Sequence, residues 1–433
     1  MVIPGILFPG YDHGLQTRNI PPLNYSALMA PFHIVARFRW LHLSILLLSL
    51  SMVLPAAAAT PTRFDSIAGQ ADAARIANHI PDAIRLYREA TRLNPAWADG
   101  WWYLGSLFYD QDRFSEAAPA FQHLLDNPKY RGSAHAFLGL CEYETGQYDE
   151  ALAQFRAWAG AGWAGTPELR NVGYYHFALL LTRDGKFTES LALVTWMVPR
   201  MGDNPAIAEA MGLASLRLRY LPENYPPELR ERIWLAGKAA LYAQMAPRQF
   251  ERAEEFAARL VARYAGQPEV HAVRAMLYEI EEKKAEAELE YREELKISPN
   301  HVPALVALAG MDLDKADTAE AGVFARKAID VEPNHAEAHH LLGRVLFSNG
   351  DLEASVKELE IARQLAPKSS GVRAHLAMVY GRLGRLQEAK AESTAFLALK
   401  SKADAAAAQR MKSLGEPTAP VQDLSGKTRE KTN

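Results

Sequence analysis

Asp99-Gly100-Trp101-Trp102-Tyr103-Leu104-Gly105 opens a block that returns down the chain. Trp101, Leu104, Gly105 and Phe108 stand at aromatic, leucine, small and aromatic positions with the three- and four-residue spacing of one helix face. Ala117 and Phe121 repeat the small-then-aromatic order on what reads as a second helix. Pro299, Pro333 and Pro367 lie 34 residues apart, and six more periods back from Pro299 fall on Pro95. A block of that period is one pair of helices that buries its apolar face only by stacking on the next block.

The same positions recur outside the opening block. Position eight reads Ala71, Gly105, Gly139, Ala178, Gly212, Ala275, Ala309, Gly343 and Ala377, with Leu241 as the exception. Position twenty reads Ala83, Ala117, Ala151, Ser190, Ala253, Ala287, Ala321, Ser355 and Ala389. Small residues at two fixed places point to close approach of two helices, since a bulkier side chain would push the backbones apart.

Tryptophan, leucine-glycine, an aromatic, alanine, phenylalanine and proline in this order resemble the tetratricopeptide repeat, and the chain resembles exported bacterial proteins with many such repeats. The resemblance implies an all-α fold: an α-solenoid, a right-handed superhelix of stacked helix-turn-helix units. Units are placed at 64–97, 98–131, 132–165, 171–204, 234–267, 268–301, 302–335, 336–369 and 370–403. The array as a whole is set at 60–403. Residues 205–233 read as a degenerate unit, because Tyr220-Leu221-Pro222-Glu223-Asn224-Tyr225-Pro226-Pro227 stands where a tight turn belongs. Residues 166–170 add five residues, and the degenerate unit is five short, so the proline ruler survives both. Residues 404–433 read as a helix extension followed by a disordered tail rich in polar and turn residues.

The front of the chain reads as an address. Arg37 and Arg39 precede an apolar run from Trp40 to Leu54, and Pro55-Ala56-Ala57-Ala58-Ala59 follows. These are the parts of a secretory signal peptide, placed at 29–59, with cleavage after Ala58 or Ala59. Residues 1–28 make the basic region too long, so translation is expected to start at Met29. The expected destination is a bacterial periplasm, without stable membrane insertion once the signal is cut. The alternative is an uncleaved membrane anchor.

Nearly half of the 433 residues are apolar and the formal charge is -3, a globular profile with no overall bias toward nucleic acid. Cys141 is the only cysteine and reads as a small buried hydrophobe. Nucleophile triads, phosphate loops and cysteine-histidine pairings are absent as motifs, and the repeats use up the chain, so an enzyme is not expected. No cofactor is implied. His335, Glu337, His339 and His340 form the densest group of metal-ligand types. They read as structural histidines because His335 falls in an inter-unit turn and His339 takes an inward aromatic position.

Function then rests on the face that tetratricopeptide repeats use. The resemblance implies that positions two, five, nine, twelve and thirteen of each first helix line a binding groove. Here that strip comprises Asp99, Trp102, Ser106, Tyr109, Ala136, Leu140, Tyr143, Tyr175 and Leu179. Asp110, Ser133, Glu144, Val172, Thr182 and Arg183 stand at the same groove positions. The expected function is a protein-protein interaction scaffold with a protein partner, in a role such as assembly of envelope complexes. The alternative is a carbohydrate-binding or glycosyl-transfer accessory subunit, since aromatics stack on sugars too.

Overall fold

The protein, seen here as a computed structural model, is described over residues 62–245 and 248–415. The signal-peptide reading and the polar tail lie outside those residues. The described residues form α-helices and no strand. The chain divides into two compact units within a helix, between Leu260 and Val261.

In the N-terminal unit the helices run α1 (Arg63–Ile76), α2 (Ile80–Leu93), α3 (Ala98–Tyr109), α4 (Phe114–Gln122), α5 (Arg131–Glu144) and α6 (Tyr148–Gly160). They continue as α7 (Pro167–Arg183), α8 (Phe187–Met201), α9 (Pro205–Ser215) and α10 (Arg230–Gln244), and the division falls within α11 (Phe250–Tyr264). The C-terminal unit holds α12 (Val270–Ile280), α13 (Lys284–Ile297), α14 (Val302–Asp314), α15 (Thr318–Val331) and α16 (Ala336–Asn349). It ends with α17 (Leu352–Leu365), α18 (Ser370–Arg382) and α19 (Leu386–Gly415).

Local chemistry sets most of these limits. Thr62 and Asp65 form a reciprocal capping box at the start of α1. The five inserted residues at 166–170 are not a loop: Thr166 caps Leu169 N, Pro167 takes the first helical position, and α7 gains a turn. Asn204 and Pro205 start α9 in the same way. At position fifteen the turn between paired helices is left-handed in eight units, at Asn78, Asp112, Gly146, Gly185, Glu282, Ala316, Gly350 and Gly384. Four of those residues carry a Cβ, which strains that conformation.

Position twenty is fully buried at Ala83, Ala117, Ala151, Ser190, Ala253, Ala287, Ala321 and Ser355. Its two serines have a shared reason to be there: Ser190 donates to the Ala178 carbonyl and Ser355 to the Gly343 carbonyl. Position eight is small for a different reason from helix-backbone contact. A Cβ at Gly105 would meet the Phe121 ring at 3.0 Å, at Gly139 the Phe155 ring at 3.1 Å, and at Gly343 the Leu359 side chain at 2.6 Å. A large residue at position twenty-four fills the space that position eight vacates. Of the glycine positions, those on α9 and α10 bring backbones closest: a Cβ on Gly212 would lie 2.1 Å from the Ile233 oxygen and one on Gly237 1.8 Å from the Ala208 oxygen.

First helices of successive pairs pack side by side, α5 on α7 and α7 on α9, then α14 on α16 and α16 on α18 in the second unit. They form an inner layer in each unit. After α9 no partner helix follows. Residues 216–226 are irregular, a 3-10 turn spans Pro227–Leu229, and α10 packs directly against α9.

Candidate functional site

The inner layer of the N-terminal unit carries the strip read from the repeat register. Ser106, Tyr109, Ala136, Leu140, Tyr143, Tyr175 and Leu179 are all buried, and Asp99 and Trp102 are half-buried. The rings engage one another. Trp102 stacks on Tyr130 with centroids 5.0 Å apart and meets Phe121 and Phe137 edge-on. Tyr109 meets Phe114 and Phe137 edge-on, and Tyr143 meets Tyr148 and His176. Asp99 accepts hydrogen bonds from Lys129 and Tyr130. Burial works against its charge, but those two bonds hold its carboxyl below the usual range.

Part of the burial comes from the segment without a helix partner. Leu221 is buried in the same apolar cluster as the strip. Tyr143 donates its hydroxyl to Glu223 at 3.0 Å, Tyr225 donates to Glu209, and Arg217 lies over the Phe187 ring. Residues 216–226 therefore run back along the ends of α5 and α7. Register gave no access to this, because position counting fails between Tyr220 and Pro227.

What this arrangement presents is acidic. Asp110 and Glu144 end α3 and α5, Glu223 arrives from the covering segment, and Glu209 lies on α9. No lysine or arginine pairs with any of the four among the described residues. Burial, then Asp112, pushes the Asp110 carboxyl up to about 6. Burial, then Glu223 and Asp112, raises Glu144. Burial and Glu223 raise Glu209 against the bond from Tyr225 and the charge of Arg230. The His176 imidazole lies 3.9 Å from Glu144, and burial drives that ring down to about 4, so it is neutral at pH 7. Like charges crowded in a half-dry rim favour a cation from outside.

The histidines of the C-terminal unit have structural partners. His335 Nδ1 accepts the Ala338 amide as a helix cap. His339 bonds Glu358 through Nδ1 at 2.7 Å and the Pro333 carbonyl through Nε2 at 2.9 Å. Position four repeats this scheme: His135 with Gln154, His271 with Glu290, and Arg373 with Glu392. Trp101 at the same position donates to the Pro95 carbonyl at 2.8 Å, as His339 bonds that of Pro333. His340 meets His375 at 3.0 Å and Glu337 at 3.2 Å. Cys141 is fully buried, and burial raises its thiol well above the ordinary value, which keeps it protonated.

Among the described residues no helix is long and apolar enough to cross a membrane. The family model described as tetratricopeptide repeat matches residues 69–133, 106–166 and 313–370. Solved structures similar to parts of the chain include MamA 41-end from Desulfovibrio magneticus RS-1, 21% identical, with 38% of this chain and 96% of that one covered and a TM-score of 0.34. A MamA RS-1 double mutant is 20% identical, covering 36% and 88%, with a TM-score of 0.33. A MamA MSR-1 structure is 17% identical, covering 40% and 99%, with a TM-score of 0.33. No curated protein matches the chain.

Proposed function

We propose that this all-α chain, whose stacked helix pairs include tetratricopeptide repeats, holds a partner protein on the inner face of its N-terminal unit. The partner segment presents a lysine or arginine beside apolar side chains. The observation that carries this reading is the row Asp110, Glu144 and Glu223, with Glu209, which form no salt bridge to a lysine or arginine among the described residues; Glu209 feels a more distant cation, Arg230. A partner ammonium or guanidinium placed there relieves the crowding and gains charge-assisted hydrogen bonds. The apolar flank of the same segment would lie along Trp102, with Asp99 at its edge. Tyr109, Tyr143, Tyr175 and Leu179, with Ser106, Ala136 and Leu140, support that surface from beneath.

The role is to hold, with no chemistry of its own. The signal-like segment at 29–59 supports export to a bacterial periplasm, and envelope-complex assembly is the setting that fits an exported scaffold. N-terminal sequencing of the mature protein checks this; a chain retaining Met1 would refute both the start at Met29 and the cleavage.

The binding claim is tested with a peptide panel of fixed apolar pattern and a varied central residue. Lysine and arginine peptides are expected to bind at least tenfold better than glutamate peptides. Glu144→Gln with Glu223→Gln should erase that preference. Equal binding across the panel would discard the reading.

A further inference from the structure

The near-neutral total charge conceals a second charged surface, on the side of α2 opposite its buried face. Arg85, Arg88 and Arg92 fall three and four residues apart on one exposed face of α2. Arg63 from α1 and Arg113 before α4 flank them. Two adjoining shallow cavities, about 350 and about 440 Å3, both include Arg85 and Arg92 in their walls. The carboxylates present are fewer than the guanidiniums. Arg88 and Arg113 share Glu116, Arg85 pairs with Asp82 at 3.2 Å, and Arg63 with Glu89 at 2.8 Å. Arg92 pairs with no carboxylate among the described residues, and exposed Leu93 lies beside it in the second cavity.

We infer that this arginine face docks on the phosphate headgroups of an anionic lipid surface. Guanidinium forks match phosphate oxygens two at a time, and each arginine near an anionic bilayer adds to the attraction. The position of the patch in the chain selects lipid over a soluble phosphate. The apolar run ends at Leu54 and α1 begins at Arg63, so the connecting residues 55–62 span at most about 28 Å. Whether that run is a passing signal or a retained anchor, α1 and α2 are the part of the repeats that it delivers next to a membrane. The surface is separate from the inner acidic rim, and neither claim needs the other.

The test is flotation of the full chain with phosphatidylcholine vesicles, with and without a third of phosphatidylglycerol, at low salt. Neutral vesicles report any insertion of the apolar run, and the excess on anionic vesicles reports the arginine face. Arg85→Gln with Arg92→Gln, both exposed and compatible with an unchanged helical circular-dichroism spectrum, should cut that excess roughly 30-fold. Raising salt to about 1 M should abolish it in the wild type. Equal binding to both vesicle types overturns the inference, as does an undiminished excess in the variant. Stripping by inorganic phosphate but not by chloride at equal ionic strength also overturns it, by assigning the cavities to a soluble phosphate.

Discussion

The two units answer the same structural problem with different materials. In the N-terminal unit one apolar cluster joins residues from Ile67 to Leu241, and of its inner carboxylates Asp99 is paired with Lys129 while Asp110, Glu144 and Glu223 form no salt bridge to a lysine or arginine among the described residues. In the C-terminal unit the apolar groups fall into small clusters, such as Ala275, Tyr291, Ala304 and Leu308, linked by polar bonds. There several carboxylates are answered from within, Glu288 by Lys315 and Arg292 and Glu392 by Arg363 and Arg373, while Glu279 has the Tyr291 hydroxyl. Glu294, fully buried, accepts the Glu269 and Ala272 amides at the start of α12. Both units pair many of their surface acids, and the proposed partner site follows the row Asp110, Glu144 and Glu223, which form no such pair among the described residues.

The sharpest way to break this comparison is to damage each unit in its own currency. Trp158 is fully buried among Phe155, Trp163 and Tyr174, and its ring nitrogen donates to the Ala164 carbonyl at 2.7 Å. Trp158→Ala is expected to destabilise the N-terminal unit by roughly 4 kcal/mol, measured by urea unfolding with hydrogen exchange to localise the loss. A cost under about 1 kcal/mol would mean that the aromatic cluster does not hold that unit together.

In the C-terminal unit His339→Ala strands Glu358 and the Pro333 carbonyl, and should cost roughly 2 kcal/mol. His339→Trp with Glu358→Ala restores the arrangement seen at Trp101 and should recover most of that loss, since a buried polar pair is replaceable by a well-packed apolar one. A double variant as weak as the single one would show that the polar link is not interchangeable with a ring.

A third contrast is in pH. Burial, opposed by Gln154, pushes Glu142 up to about 7, and Asp110 is up to about 6. Between about pH 4 and these values the folded chain binds protons that the unfolded chain releases, so both groups make stability fall as pH rises. His176, held down to about 4, acts in the opposite sense and lowers stability as pH falls below its ordinary value. Asp110→Asn with Glu142→Gln should therefore stabilise the N-terminal unit by roughly 1 kcal/mol at pH 8, discounted for partial exposure, and flatten the decline from pH 5 to 7. Thermal melts across that range decide it; an unchanged slope would contradict it.

The smallest effect concerns the turns. Ala316 adopts φ 63 at position fifteen, where four other units use glycine. Ala316→Gly should raise stability by about 0.5 kcal/mol, the released strain being partly offset by unfolded-state entropy. A loss of 1 kcal/mol in thermal or urea unfolding would show that the alanine is not strained.

Most of the fold was legible because a stacked repeat writes its packing rules at fixed positions. Small residues at eight and twenty and the proline ruler were enough for the helix pairs. They did not reveal what position eight faces, since a ring at twenty-four and a crossing backbone impose the same smallness. The site was less legible. Register places a residue on the inner layer but not above or below its surface, so Tyr143 and Tyr175 were read as lining a groove although both are buried, Tyr143 with its hydroxyl bonded to Glu223. Asp110 and Glu144 stood at groove positions in the sequence, whereas Glu223 came from a stretch with no repeat register. Position four shows the same limit: His339 was readable as inward, but its bond to Glu358 needed the second helix in place.

Photo-crosslinking in the native cells tests the central claim most directly, with the reactive residue placed at position 144 and, as a control, at position 357 on the second unit. The account expects position 144 to capture one partner, with the adduct mapping to a segment that contains lysine or arginine, and Glu223→Gln to weaken the capture. Adducts of equal yield and identity from both positions, or none from position 144, would contradict it.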